Sequence, residues 1–207
     1  MIDLSPEERD AFAEVVNIGI GDAASALSEL VREPVRLSVP QVEVLRVDGA
    51  CDRLDETVGG RCCAVRESFS IPFSGEMFLV FSAQHSLDLV RRLVSEPVAG
   101  YELSELEQDT LIEIGNLIMN RFLSRTADLL DISISGTTLP EIVEGSSEQI
   151  LDLQDDLLSL NGAIYFMEVE FQLCASNISG LLLMTFGVTS AAEFRERIRV
   201  CLLQQAA

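Results

Sequence analysis

Ser5-Pro6-Glu7-Glu8-Arg9-Asp10-Ala11-Phe12-Ala13-Glu14-Val15-Val16-Asn17 returns ninety-nine residues later, in altered form, as Ser104-Glu105-Leu106-Glu107-Gln108-Asp109-Thr110-Leu111-Ile112-Glu113-Ile114-Gly115-Asn116. Both copies read D-x3-E-x2-N behind a helix-start signal. In each, a serine stands three residues before a glutamate, the spacing of a capping box. Pro6 suits the first helical position. The first long helix is therefore predicted from Pro6 to about Val31, with Pro34 marking its end, and the second from about Glu105 to Leu130. On a helix, positions i, i+4 and i+7 lie along one stripe. The chain thus sets the same polar stripe, Asp10, Glu14 and Asn17 or Asp109, Glu113 and Asn116, on two helices that are otherwise largely apolar.

The segments outside the helices repeat as well. A strand-like run follows each helix, at 35–45 and at 132–139. Two further runs follow in each half: 62–73 and 76–81, then 164–173 and 181–186. Ser74-Gly75 reads as the turn of the first pair, and Ser179-Gly180 stands before the last strand. Amphipathic helices, 86–94 and 191–203, close the halves. The expected fold class is α/β in the α+β sense: an internally duplicated helix-strand-strand-strand-helix repeat. A shared sheet and a pseudo-two-fold axis are expected, with the two long helices on one face. Each half of about 100 residues buries only part of its surface alone. The expected organisation is accordingly one domain over 1–207, made of two repeats at about 1–97 and 102–207 joined at 97–101. Segments 52–56 and 146–160 read as irregular or helical insertions. The second holds Asp152, Asp155 and Asp156, but lacks the glycine and terminal glutamate of an EF-hand loop.

Composition narrows the function. Net charge is −20, and all fourteen basic residues are arginine. No dense basic patch is available for a phosphate backbone, so nucleic acid is an unsuitable partner, and an anionic membrane surface is disfavoured for the same reason. The nearest local basic pair, Arg91-Arg92, is flanked by Asp88 and Glu96. No apolar run reaches membrane-spanning length, and Met1 to Pro6 lacks the features of a signal peptide. The expected location is cytoplasmic. Cys51, Cys62, Cys63, Cys174 and Cys201 include no C-x-x-C pair and read as reduced, mostly buried thiols. His85 is the sole histidine and reads as a surface or helix-start residue. A zinc enzyme or a Ser-His-Asp hydrolase would have to rest on that one imidazole.

The stripe itself carries chemistry. Acidic residues near a helix start favour the macrodipole, which accounts for Asp10 and Asp109 but poorly for Glu14 and Glu113. Asparagine is a weak helix former, yet it recurs in register at Asn17 and Asn116. A glutamate three residues before an asparagine projects on the same side. The carboxylate can pair with a cation on a partner, and the carboxamide can hold and aim a water. That pairing suits phosphoryl hydrolysis, which needs positioning and charge neutralisation. With no Walker loop and no lysine here, the metal and the positive charge must come from the partner.

Asp10-x3-Glu14-x2-Asn17, twenty-two residues and then Pro40, resembles the pattern D/S-x3-E-x2-N-x22-P of the CheC/CheX/FliY phosphatase family. The second copy has twenty-three residues before Pro140. The run Asn17-Ile18-Gly19, with Gly21 through Ser28, is similar to a CheC first helix, and Glu113-Ile114-Gly115-Asn116 to its second. The resemblance covers essentially the full length. It implies a phosphatase acting on the aspartyl phosphate of a CheY-type response regulator. Asn17 and Asn116 would orient water, Glu14 and Glu113 would pair with the receiver's lysine, and Asp10 and Asp109 would support the site. The family implies no metal bound by this chain, magnesium being supplied by the receiver. It also implies CheD as a further partner. The alternative is a non-catalytic regulator that docks a receiver or CheD, or a flagellar-switch relative.

Overall fold

The computed structural model describes residues 4–32, 34–38, 42–70, 72, 74–93, 100, 102–133, 135–151, 163–173 and 176–205. The first half runs α1 (Pro6–Val31), β1 (Val35–Ser38), β2 (Val42–Leu45), α2 (Val47–Thr57), β3 (Cys62–Ser70), β4 (Ser74–Ser82) and α3 (Ala83–Leu93). The second repeats that order as α4 (Glu105–Leu129), β5 (Gly136–Thr137), β6 (Glu141–Gly145), α5 (Ser147–Ile150), β7 (Ala163–Leu173), β8 (Ser176–Phe186) and α6 (Val188–Gln205).

The strands form one antiparallel sheet in the order β1-β7-β8-β4-β3-β5, with β2 also on β7 and β6 also on β3. Exchanging the halves reverses this order and leaves it unchanged, so a pseudo-two-fold axis passes between β4 and β8. The halves trade strands across it. β1 and β2 lie along β7 of the other half, with Val35 opposite Leu173 and Val42 opposite Met167. β5 and β6 lie along β3, with Phe69 opposite Thr137 and Cys62 opposite Gly145. Neither half supplies a complete edge for its own hairpin.

Helices cover both faces. On one, α1, α4, α3 and α6 bury Phe12, Val16, Ile20, Ile114, Ile118 and Phe194 against inward residues such as Val65, Leu79, Tyr165 and Leu182. On the other, Ala50 and Leu54 of α2 and Ile150 of α5 cap Phe78, Val80, Phe166 and Leu183. The alternation along β4 sends Met77, Leu79 and Phe81 to the first face and Phe78 and Val80 to the second. Phe12, Tyr165, Phe186 and Phe194 meet ring to ring at 4.8–5.4 Å beneath α1.

Several expectations need correction. The repeat is helix-strand-strand-helix-strand-strand-helix, because each first strand is broken and an extra helix follows it. The expected strand at 132–139 keeps only Gly136–Thr137, and pairing resumes at Glu141–Gly145. Pro140 lies in the break, and proline cannot donate to a sheet ladder. Segment 35–45 divides likewise, and Pro40 lies outside the described residues. Ser179-Gly180 does not stand before the last strand: it sits inside β8, opposite Glu170 and Val169. Ser74-Gly75 begins β4, with Ser74 already paired to Ser70. Segment 52–56 is helical, within α2. Of 146–160 the described part begins with Ser146 capping α5, and Asp152, Asp155 and Asp156 lie outside the described residues, as does the 97–101 junction apart from Gly100.

Candidate functional site

Both capping boxes form as expected. Ser5 N–H donates to Glu8 Oε2 at 2.8 Å and Glu8 N–H returns to Ser5 Oγ at 3.2 Å. Ser104 N–H donates to Glu107 Oε2 at 2.8 Å, and Glu107 N–H returns to Ser104 Oγ at 3.4 Å. What sequence reasoning missed is how these glutamates are gripped. Glu8 and Glu107 are 5% and 1% exposed. Arg91 of α3 donates from Nε to Glu107 Oε1 at 2.9 Å. Arg195 of α6 donates from Nε to Glu8 Oε2 at 2.9 Å, and Arg199 stands 3.2 Å from the other oxygen. The closing helix of each half thus clamps the long helix of the other. Burial pushes both carboxyls up, but the arginine and Ser5 or Ser104 hydrogen bonds outweigh it and hold them below the usual glutamate range. Only the duplicated position of arginine on the closing helices hinted at this.

With their starts fixed, α1 and α4 lie side by side. An added Cβ on Gly19 would lie 3.3 Å from Phe122 Cα, so the two backbones approach closely there. Asp22 meets Arg125 at 3.5 Å across the outer rim. Gly115 seats α4 on the sheet: a Cβ there would meet Val65 side-chain atoms at 2.7 Å. Phe12, Val16 and Ile20, or Leu111, Ile114 and Ile118, hold the inner faces. The 3.6-residue period then turns the D-x3-E-x2-N positions outward.

Asp10, Glu14, Asn17, Asp109, Glu113 and Asn116 are all exposed. The amides are not sealed in the core, and the helices that carry them are packed neighbours. The two asparagines differ in detail. Asn17 Nδ2 donates to the Ala13 carbonyl at 2.9 Å. Asn116 Oδ1 accepts from Asn120 Nδ2 at 2.5 Å. Pro140, after the second site, is half-buried.

The remaining candidates are quieter. Burial first, then the charge of Asp55, pushes the Cys62 thiol up to about 11. Burial first, then the charge of Glu144, pushes Cys63 up to about 12, so both stay protonated near neutral pH. Cys201 is a free thiol, and Cys174 lies outside the described residues. His85 sits in the first turn of α3, half-buried, with Nδ1 3.0 Å from the Ser179 carbonyl. Among the described residues no cluster of three His, Cys, Asp or Glu is placed to hold a metal ion, and no helix is long and apolar enough to cross a membrane.

A duplicated helix-and-sheet unit with two exposed Glu-x-x-Asn pairs on adjoining helices defines the class. The chain is homologous, at modest identity, to two proteins of Bacillus subtilis strain 168. It is 26% identical over 147 residues to the CheY-P phosphatase CheC, covering 67% of either chain. It is 29% identical over 119 residues to the flagellar motor switch phosphatase FliY, covering 56% of this chain and 30% of that protein's length. The fold matches the crystal structure of Thermotoga maritima FliY, with a TM-score of 0.74 at 19% identity over 96% of this chain and 98% of the other. It also matches FliM in the Helicobacter pylori FliG-FliM complex, with a TM-score of 0.68 at 16% identity over 93% and 100%. No protein-family model matches the chain.

Proposed function

We propose that this chain is a phosphatase of the aspartyl phosphate on a CheY-type response regulator. The observation that carries the reading is the pair of exposed Glu-x-x-Asn arrays, Glu14/Asn17 and Glu113/Asn116, on two packed helices. Side chains on an exposed helix surface act best on a substrate that brings its own pocket. A receiver does so, with its phosphorylated aspartate, lysine and magnesium ion. Asn17 or Asn116 enters that pocket and orients water toward phosphorus. Glu14 or Glu113 pairs with the receiver's lysine and fixes the angle of entry, and Asp10 and Asp109 support the interface. The chain supplies positioning and the receiver supplies charge neutralisation. Homology to a protein named as a CheY-P phosphatase supports the same reaction class. The interlocked strands support treating 1–207 as one CheC-like unit, working in the cytoplasm where a receiver would be met.

The test is the decay of a phosphorylated receiver with and without this protein. Asn17→Ala together with Asn116→Ala should cut the acceleration by about a hundredfold or more, the usual scale for losing a positioning or general-acid/base group. Unchanged decay would refute the chemistry. A second reading has its own support, in the likeness to FliM: a non-catalytic module that docks a receiver, CheD or a flagellar-switch component. Tight binding of the phosphorylated receiver with no faster phosphate loss would select it. A receiver from outside chemotaxis fits the same surface chemistry, and a panel of phosphorylated receivers distinguishes the two.

A further inference from the structure

We propose that the two sites are unequal, because Asn120 holds the Asn116 carboxamide with its nitrogen outward while Asn17 presents its oxygen. This rests on the phosphatase reading above. The orientations follow from donor and acceptor chemistry. A backbone carbonyl only accepts, so the Asn17 amide atom 2.9 Å from the Ala13 carbonyl is Nδ2, and Oδ1 is the free end. On α4, the Asn120 amide atom 3.0 Å from the Asn116 carbonyl is likewise nitrogen. That same nitrogen lies 2.5 Å from the Asn116 side chain, whose facing atom is therefore Oδ1. The free end of Asn116 is Nδ2.

The difference matters for attack on phosphorus. The water must spend its lone pair on phosphorus and give its hydrogens to acceptors. An amide oxygen takes such a hydrogen and aims the lone pair. An amide nitrogen donates to that lone pair and competes with the attack, and is better suited to holding a phosphoryl oxygen. Asn17 is thus set to orient water, whereas Asn116, held with Nδ2 outward, favours a phosphoryl oxygen and orients water less effectively.

The restraint on Asn116 is built in the second half only. Four residues after Asn17 stands Gly21, whose Cβ position opens onto free space. Four residues after Asn116 stands Asn120, half-buried. Beneath it, β3 carries Glu67, 1% exposed, with neither carboxyl oxygen hydrogen-bonded. The side chains of Asn120 and Thr137 face that carboxyl as donors, outside ordinary hydrogen-bond geometry. On β7, the equivalent strand, the inward residues Tyr165, Met167 and Val169 include no acid. A carboxyl left inside an otherwise apolar face is costly, and its neighbour here is the residue that fixes Asn116. Asn120 is therefore a positioning residue of the second site, with Glu67 beneath it.

Steady-state dephosphorylation of a phosphorylated receiver tests this. Asn116→Ala should keep half or more of kcat, whereas Asn17→Ala, with only the second site intact, should lose about tenfold. Adding Asn120→Ala to Asn17→Ala should recover kcat several-fold with KM little changed, a split that a purely structural role would not produce. Alanine favours helix, and melting curves of each variant confirm that the fold is kept. Equal losses from Asn17→Ala and Asn116→Ala would overturn the proposal. So would an unchanged kcat on adding Asn120→Ala. If Asn17→Ala with Asn116→Ala retains the full rate, the phosphatase reading itself fails, and this proposal fails with it.

Discussion

Arg91→Ala removes the guanidinium that reaches from α3 to the capping glutamate of α4. The lost contact is a charge-assisted bond of 2.9 Å to a carboxylate that is 1% exposed. Glu107 keeps the Ser104 N–H and hydroxyl, each at 2.8 Å. Breaking a buried pair by removing one partner costs about 3–5 kcal/mol. Arg91 itself is 26% exposed, so truncation lets water reach the carboxylate, and about 2 kcal/mol is the expected loss. For a chain of this size that lowers Tm by roughly 4–8 °C. The loss depends on pH with a definite sign. Glu107's folded pKa is lowered, so its stabilisation is complete above the unfolded value of about 4.3 and disappears as pH falls through the folded value. The gap in Tm between the natural chain and Arg91→Ala should be full near neutral pH and should shrink below pH ~4. Scanning calorimetry on both proteins across that range measures it, and taking the difference removes the common effect of titrating a net charge of −20. A gap that is absent at neutral pH, or that stays constant into acid, would refute the account of the clamp.

Two further outcomes follow from packing and burial. Gly115→Ala places a Cβ within 2.7 Å of Val65 and must lift α4 from the sheet, whereas Gly19→Ala meets Phe122 at 3.1 Å. The first should cost about 1–3 kcal/mol by denaturant titration and the second less; the reverse order would contradict the seating of α4. Burial pushes the Glu67 carboxyl up. A raised acid gives stability that is present below the unfolded pKa and lost as pH rises through the folded one. Glu67→Gln should therefore gain stability over the natural chain as pH rises above ~4.3, read from Tm at several pH values. A difference that does not grow with pH would show that Glu67 is solvated or paired.

The sequence alone determined the duplication, both long helices with their capping boxes, the outward stripe, and the antiparallel hairpins at 62–81 and 164–186. Each of these is local. A serine and a glutamate three residues apart, a 3.6-residue period and a two-residue alternation act within one element and are written in consecutive residues. Where local signals conflicted, the reading slipped. Ser179-Gly180 has turn composition, yet pairing with Glu170 and Val169 of β7 brings that segment into the extended strand β8. The proline after Leu139 cut a strand that alternation had drawn as continuous. Only the tertiary structure decided that the halves exchange strands, that Arg91 and Arg195 cross to the opposite half's helix, and that Asn120 and Glu67 meet beneath Asn116. These contacts join residues separated by up to 187 positions. Their partners are selected by which surfaces must be buried together, and no spacing along the chain records that choice.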